Sequence, residues 1–145
     1  IARTNPCSNP GHFHIYTHDH RAYLIFYSNL EPGQVNHSSS ASVLEDGSFH
    51  HVVWTKTWGQ TGVRLYVDGV SRTVTGDSDR QGTTYGNPIF IGAQNRIPGV
   101  CVSDPSPSDF FNGIIDDVRI YSRILTAQEV GDLYAQTKGK YLANE

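Results

Sequence analysis

Four histidines and an aspartate crowd the segment GHFHIYTHDH, Gly11 to His20, and imidazoles two residues apart can chelate zinc. A catalytic or structural zinc needs three or four converging ligands. His12 and His14 supply two, and only a favourable turn would add His18 or Asp19. Period-2 alternation gives the other reading: Phe13 and Ile15 turn to a core while His12, His14 and Tyr16 line the outer face of a strand. That exposed polar strand is the reading adopted. Glycoside hydrolysis would need two carboxyl groups held across one sugar bond. The adjacent strand-like acids are Asp116 and Asp117, and neighbours on a strand point to opposite faces. No acidic residues alternate along a strand, no nucleophile elbow occurs, and Ser38, Ser39 and Ser40 read as loop. No catalytic residue is expected.

In GIIDDVRIY the alternation puts Ile114, Asp116, Val118 and Ile120 on one face, so Asp116 is expected on the core side. There it must be hydrogen-bonded, ion-paired or bound to a cation. Asp77 and Asp79 read as a solvated turn. Trp58, on the turn KTWGQTG, either caps the core or stacks on a sugar ring, since its flat apolar face matches the C–H face of a pyranose. His12, His14, Tyr16, Arg64 and Tyr66 form a ligand-binding surface if their strands are neighbours. Otherwise two long loops, Thr75 to Pro88 with Tyr85 and Gln94 to Gly113, inherit the role.

These residues need a scaffold, and the chain of 145 residues is long enough for one core without dense cross-links. A single domain over residues 1–145 is expected. The formal charge is −3, with the 11 basic residues scattered, so nothing tracks a phosphate backbone and no nucleic acid partner is expected. The longest apolar run is Ala22 to Tyr27, far short of a membrane span. The N-terminus lacks the order of a signal peptide, so any targeting segment is expected outside this sequence. Cys7 and Cys101 suit one long-range disulfide in an oxidising, extracellular compartment.

Short alternating segments separated by turn residues argue for an all-β sandwich: HFHIY, AYLIFY, SASVL, FHHVVWTKT, VRLYV, SRTVT, PIFIGA and GIIDDVRIY. In VRLYVDGVSRTV, Val63, Leu65 and Val67 share one face, Arg64 and Tyr66 the other, and Asp68-Gly69 makes a tight hairpin. Val63, Leu65, Val118 and Ile120 are expected to meet in one interior. One helix is predicted, starting at Thr126 with a capping box to Glu129 and a staple from Leu125 to Val130. Gly131 is expected to keep it short.

The phrases DGSFHHVVWTKTWGQTGVRLYVDGV, NPIFIGAQ and FFNGIIDDVRIYSRILTAQEVGDLY resemble the laminin G-like, concanavalin A-like jelly-roll family, which includes the pentraxins. The resemblance runs from about Ser40 to Tyr134, with Phe49 where the family usually has Trp. It implies a two-sheet antiparallel jelly-roll sandwich with one short C-terminal helix. It also implies a recognition module for glycans or proteins in an extracellular multidomain protein, and in many members a structural calcium, for which Asp116 is the candidate. Gln94, Asn95 and Arg96 replace the acidic phrase of pentraxin-like calcium sites, so that mechanism is not carried over. The family's first strands are expected to precede Ile1. The chain then reads as a fragment of a larger protein whose open sheet edge beside Gly113 to Tyr121 invites an edge-paired or strand-exchanged oligomer. The expected function is carbohydrate recognition without catalysis. A protein-interaction or spacer domain is the alternative, and a fragment of a glycoside hydrolase or lyase the third reading.

Overall fold

The computed structural model describes residues 12–28, 33–39, 44, 46–57, 62–76, 91–93 and 110–141; the side chains of 12–14, 25–28, 33–39 and 141 fall outside that description. The disulfide expected between Cys7 and Cys101 therefore lies outside the described residues, as do Trp58, Tyr85 and most of both long loops. Among the described residues, seven strands form two antiparallel sheets, and one helix follows.

The first sheet has the order β1-β2-β3-β7, with β1 His12–His18, β2 Arg21–Ser28, β3 Gly33–Ser39 and β7 Val74–Thr75. β1 and β2 form a hairpin whose two turn residues, Asp19 and His20, both take positive φ (47° and 60°), the geometry that matches strand twist. β3 was not expected: GQVNHSS carries a single apolar residue, and pairing with β2 rather than a hydrophobic pattern makes it a strand. The strand expected over SASVL is not seen at Leu44, a bend residue whose N–H donates to the His20 carbonyl at 3.0 Å.

The second sheet has the order β4-β5-β6, with β4 Val52–Thr55, β5 Arg64–Val67 and β6 Val70–Arg72. The expected hairpin is present, with Asp68 at φ 55° and Gly69 at φ 75°. The predicted SRTVT strand divides: Val70–Arg72 stays in the second sheet, and Val74 pairs with Ser39 in the first. One residue, Thr73, thus carries the chain between sheets. Their apolar faces meet accordingly, with Ala22 of β2, Leu44, and Leu65 and Val67 of β5 in one buried cluster edged by Val52, Trp54 and Val74. Leu24 and Val63 extend this layer.

The other face of β5 is covered too. α1, Ala127–Tyr141, lays Val130 and the preceding Leu125 on Tyr66, flanked by Val53 and Leu133. Tyr66 is therefore not on an open sheet surface, as alternation suggested, but 3% exposed beneath the helix. The capping box forms as expected, the Thr126 hydroxyl accepting from Glu129 N–H at 3.2 Å and the Glu129 carboxylate accepting from Thr126 N–H at 2.8 Å. Arg123, with Thr126, holds the Glu129 pKa down to about 2. Gly131 does not shorten the helix, which runs 15 residues, because packing on Tyr66 outweighs one weak helix former.

Two expectations about the core fail. Residues 113–121 form no strand, and Ile114, Val118 and Ile120 are 75%, 51% and 68% exposed. Val63 and Leu65 are buried without them, and Asp116 does not face the core. A strand needs a ladder partner for its N–H and C=O groups. None of the described strands pairs with this segment, and Asp117 breaks the extended geometry at φ 51°. Ile15 shares the register of Leu24, as expected for the core side, yet is 56% exposed. It sits on an edge strand, outboard of the second sheet's cover.

A His-Asp clasp fastens the β5–β6 turn to the start of β4. Asp68 accepts from the His51 N–H at 3.0 Å and contacts His50 Nδ1 at 2.8 Å, while Asp46 contacts His50 Nε2 at 3.0 Å. Only an imidazolium donates from both nitrogens. Partial burial opposes that charge, but Asp68 and Asp46 outweigh it and raise the His50 pKa above 6.5. Burial instead holds the His51 pKa below 6.5, with Arg119 adding to the effect against Asp68.

The signs are opposite. Stability from His50 is complete below about pH 6.5 and is lost as pH rises through its raised pKa. Stability from His51 is complete above about 6.5 and is lost as pH falls. His50→Gln should therefore cost more at acid than at alkaline pH, and His51→Gln the reverse, in urea midpoints taken on both sides of neutrality. Equal costs on the two sides would contradict the clasp. Gly131→Ala should raise stability by about 1 kcal/mol, since a Cβ there meets nothing within 4 Å. Gly69→Ala should lower it by about 1–2 kcal/mol, its Cβ meeting Tyr134 Cδ1 at 3.2 Å in a positive-φ backbone. A destabilising Gly131→Ala would contradict the helix placement.

Candidate functional site

The surface imagined from His12, His14, Tyr16, Arg64 and Tyr66 is not continuous, because the first three belong to β1 in one sheet and the last two to β5 in the other. Two smaller candidate sites take its place.

The first lies on the β1–β2 hairpin. Antiparallel pairing about the Asp19-His20 turn sets Tyr16 opposite Tyr23 and His18 opposite Arg21. Directly opposed side chains share a face, the one opposite Ala22 and Leu24. The Tyr16 and Tyr23 rings stack at 4.9 Å between centroids and 13° between planes. His18 meets Tyr23 edge-on at 6.2 Å, and its Nδ1 contacts Asp19 at 3.2 Å. Tyr16 is 36% exposed and His18 largely so. Flat aromatic carbon, phenol groups and an imidazole therefore stand together at the solvent, a mixture that offers stacking and hydrogen bonds. His12 and His14 precede Tyr16 along β1, opposite Tyr27 and Ile25.

The second site is a cavity of about 390 Å³ between the second sheet and the start of α1. Thr55 and Arg64 are cross-strand partners, and both line it with Tyr66 and Thr126. Arg64, expected at a binding surface, is at a cavity wall, with Tyr66 buried beside it.

Asp116 is half exposed, 3.5 Å from Lys140 Nζ, which also reaches Asp117 at 3.0 Å. Asp117 N–H donates to Asp116 Oδ1 at 2.7 Å. Among the described residues, no group of three or more His, Cys, Asp or Glu side chains could hold a metal ion.

The sequence reading missed Tyr23, Thr55 and Thr126 as site residues. A signal existed for Tyr23: a two-residue turn at Asp19-His20 fixes which positions face each other, so Tyr16 must oppose Tyr23. Thr55 has no such signal, because the cavity exists only once the helix docks.

A laminin G family model, described as the concanavalin A-like lectin/glucanases superfamily, matches residues 2–131. No curated protein matches the chain. A solved structure, the 2.1 Å crystal structure of an S-layer domain-containing protein (residues 221–444) from Clostridium thermocellum ATCC 27405, is 22% identical with a TM-score of 0.46. The alignment covers 87% of this chain and 57% of that one. Among the described residues, no helix is long and apolar enough to cross a membrane.

Proposed function

The chain belongs to the concanavalin A-like lectin/glucanases superfamily, and from that premise we propose that it is a non-catalytic carbohydrate-recognition module. Its setting in this proposal is a secreted or cell-surface multidomain protein, folded as one jelly-roll domain. The observation that carries the reading is the solvent-facing stack of Tyr16 on Tyr23 with His18 beside it. An aromatic surface takes the C–H face of a pyranose while phenol and imidazole groups bond its hydroxyls. Such a shallow site binds weakly, and repeated modules in a parent protein would raise the affinity through avidity.

A second reading, a protein-interaction domain, is favoured by the exposed Ile114, Val118 and Ile120, which suit contact with an apolar partner surface. A structural calcium at Asp116 belongs to the proposal only as an option, since the ion would have to displace Lys140.

A glycan array, run with and without a chelator, tests the proposal. Binding to at least one neutral glycan is expected. Tyr23→Ala should weaken it about tenfold, the scale of losing roughly 1.4 kcal/mol of stacking, and Tyr16→Phe should retain it. Binding to no glycan would shift the reading to the protein-interaction domain. Loss of binding on chelation would bring the calcium option into the site.

A further inference from the structure

We infer that the cavity between Thr55, Arg64 and the N-terminus of α1 is a second ligand site, one that takes the carboxylate of an acidic sugar such as a hexuronate. The existence of the site stands on geometry. The identity of its ligand as a sugar rests on the carbohydrate reading above.

Thr55 is the starting point. It is only 7% exposed, it lines the cavity, and its hydroxyl has no hydrogen-bond partner among the described residues. That hydroxyl stays within reach of solvent and can both donate and accept, so it offers the cavity a partner for a polar ligand atom. Directly across the strand pair, Arg64 lines the same cavity and is exposed. It forms no ion pair with any described acid. A planar guanidinium fork matches a carboxylate through two parallel N–H donors.

The third wall is the start of a 15-residue helix. Thr126 and Ala127 line the cavity, and the first-turn N–H groups of Ala127 and Gln128 have no partner within the helix itself. The nearby Glu129 carboxylate is occupied by Arg123 and by Thr126, so Arg64 remains available to an incoming anion. A guanidinium and the N-terminal end of the helix thus border one space.

The anion is a monoanion on a polar body. Only one arginine faces the cavity among the described lining residues, and the chain as a whole carries a formal charge of −3. A sulfated polymer or a nucleic acid would need a basic stripe that the sequence lacks. Thr57 adds a second hydroxyl, and Tyr66 and Ile124 add apolar wall. Mixed hydroxyl and apolar walls around one carboxylate-binding corner suit a sugar ring carrying an acid. The volume is at the small end of ligand pockets, enough for a terminal unit and too little for a long segment.

The test is amide chemical-shift mapping of the chain with methyl β-glucuronide, methyl β-glucoside and acetate as separate probes. The glucuronide should perturb Thr55, Arg64 and Thr126 to Gln128. Arg64→Gln should weaken it about tenfold, the loss of one charge-assisted pair, and Thr55→Val severalfold, with thermal midpoints showing both variants folded. Tyr23→Ala should leave it unchanged. The glucoside should be clearly weaker at these residues, and acetate weaker still.

Shifts that miss the cavity, or an Arg64→Gln variant that binds equally well, would overturn the proposal. Acetate binding as tightly as the glucuronide would overturn the sugar as ligand. Neutral glycans held through Tyr23 with no glucuronide in the cavity would refute this site alone. Glucuronide in the cavity with no effect of Tyr23 on any glycan would refute the hairpin site alone.

Discussion

Strand β5 is buried on both faces, and every other placement follows from it. Leu65 and Val67 are 0% and 1% exposed on one side, Tyr66 is 3% exposed on the other. Full burial of one such side chain is worth about 1.5–3 kcal/mol, and these three residues stand side by side in one short strand. The inward side of β5 draws in Ala22 of the first sheet, and the outward side holds Leu125 and Val130 of the helix.

The two candidate surfaces occupy what β5 leaves over. Where the helix begins, its first turn and the ends of β4 and β5 do not close completely, and the cavity of Thr55 and Arg64 remains. At the β1 edge, the second sheet gives too little cover to bury Ile15. Ile15 is exposed there on the core side, and the two tyrosines stack on the opposite face. An open edge with aromatic residues is a place for contact.

Much of this was legible before the coordinates. The Asp68-Gly69 hairpin, the capping box at Thr126 and the inward set Val63, Leu65 and Val67 follow from local rules that leave few alternatives. What escaped were relations between distant segments. Alternation assigned Tyr66 to one face correctly but could not say that a helix would cover that face. It gave Ile114, Asp116, Val118 and Ile120 a common face without supplying a strand to pair with. A polar stretch, Gly33–Ser39, became a strand because β2 offered it a ladder, a fact written in β2 rather than in the stretch itself. The resemblance to the laminin G-like family pointed to the superfamily that residues 2–131 match, while the cavity had no signature in the sequence.

The most direct measurement of the central claim is native-state hydrogen exchange on the chain and on Val130→Ala, residue by residue. If β5 supports both the first sheet and the helix, the amides of Leu65, Tyr66 and Val67 are the slowest to exchange. Removing Val130 from the far face should then lower protection at Ala22 and Leu24 by as much as at β5. Protection at Ala22 and Leu24 that stays unchanged while β5 weakens would show that the first sheet stands without it, and the account would be wrong.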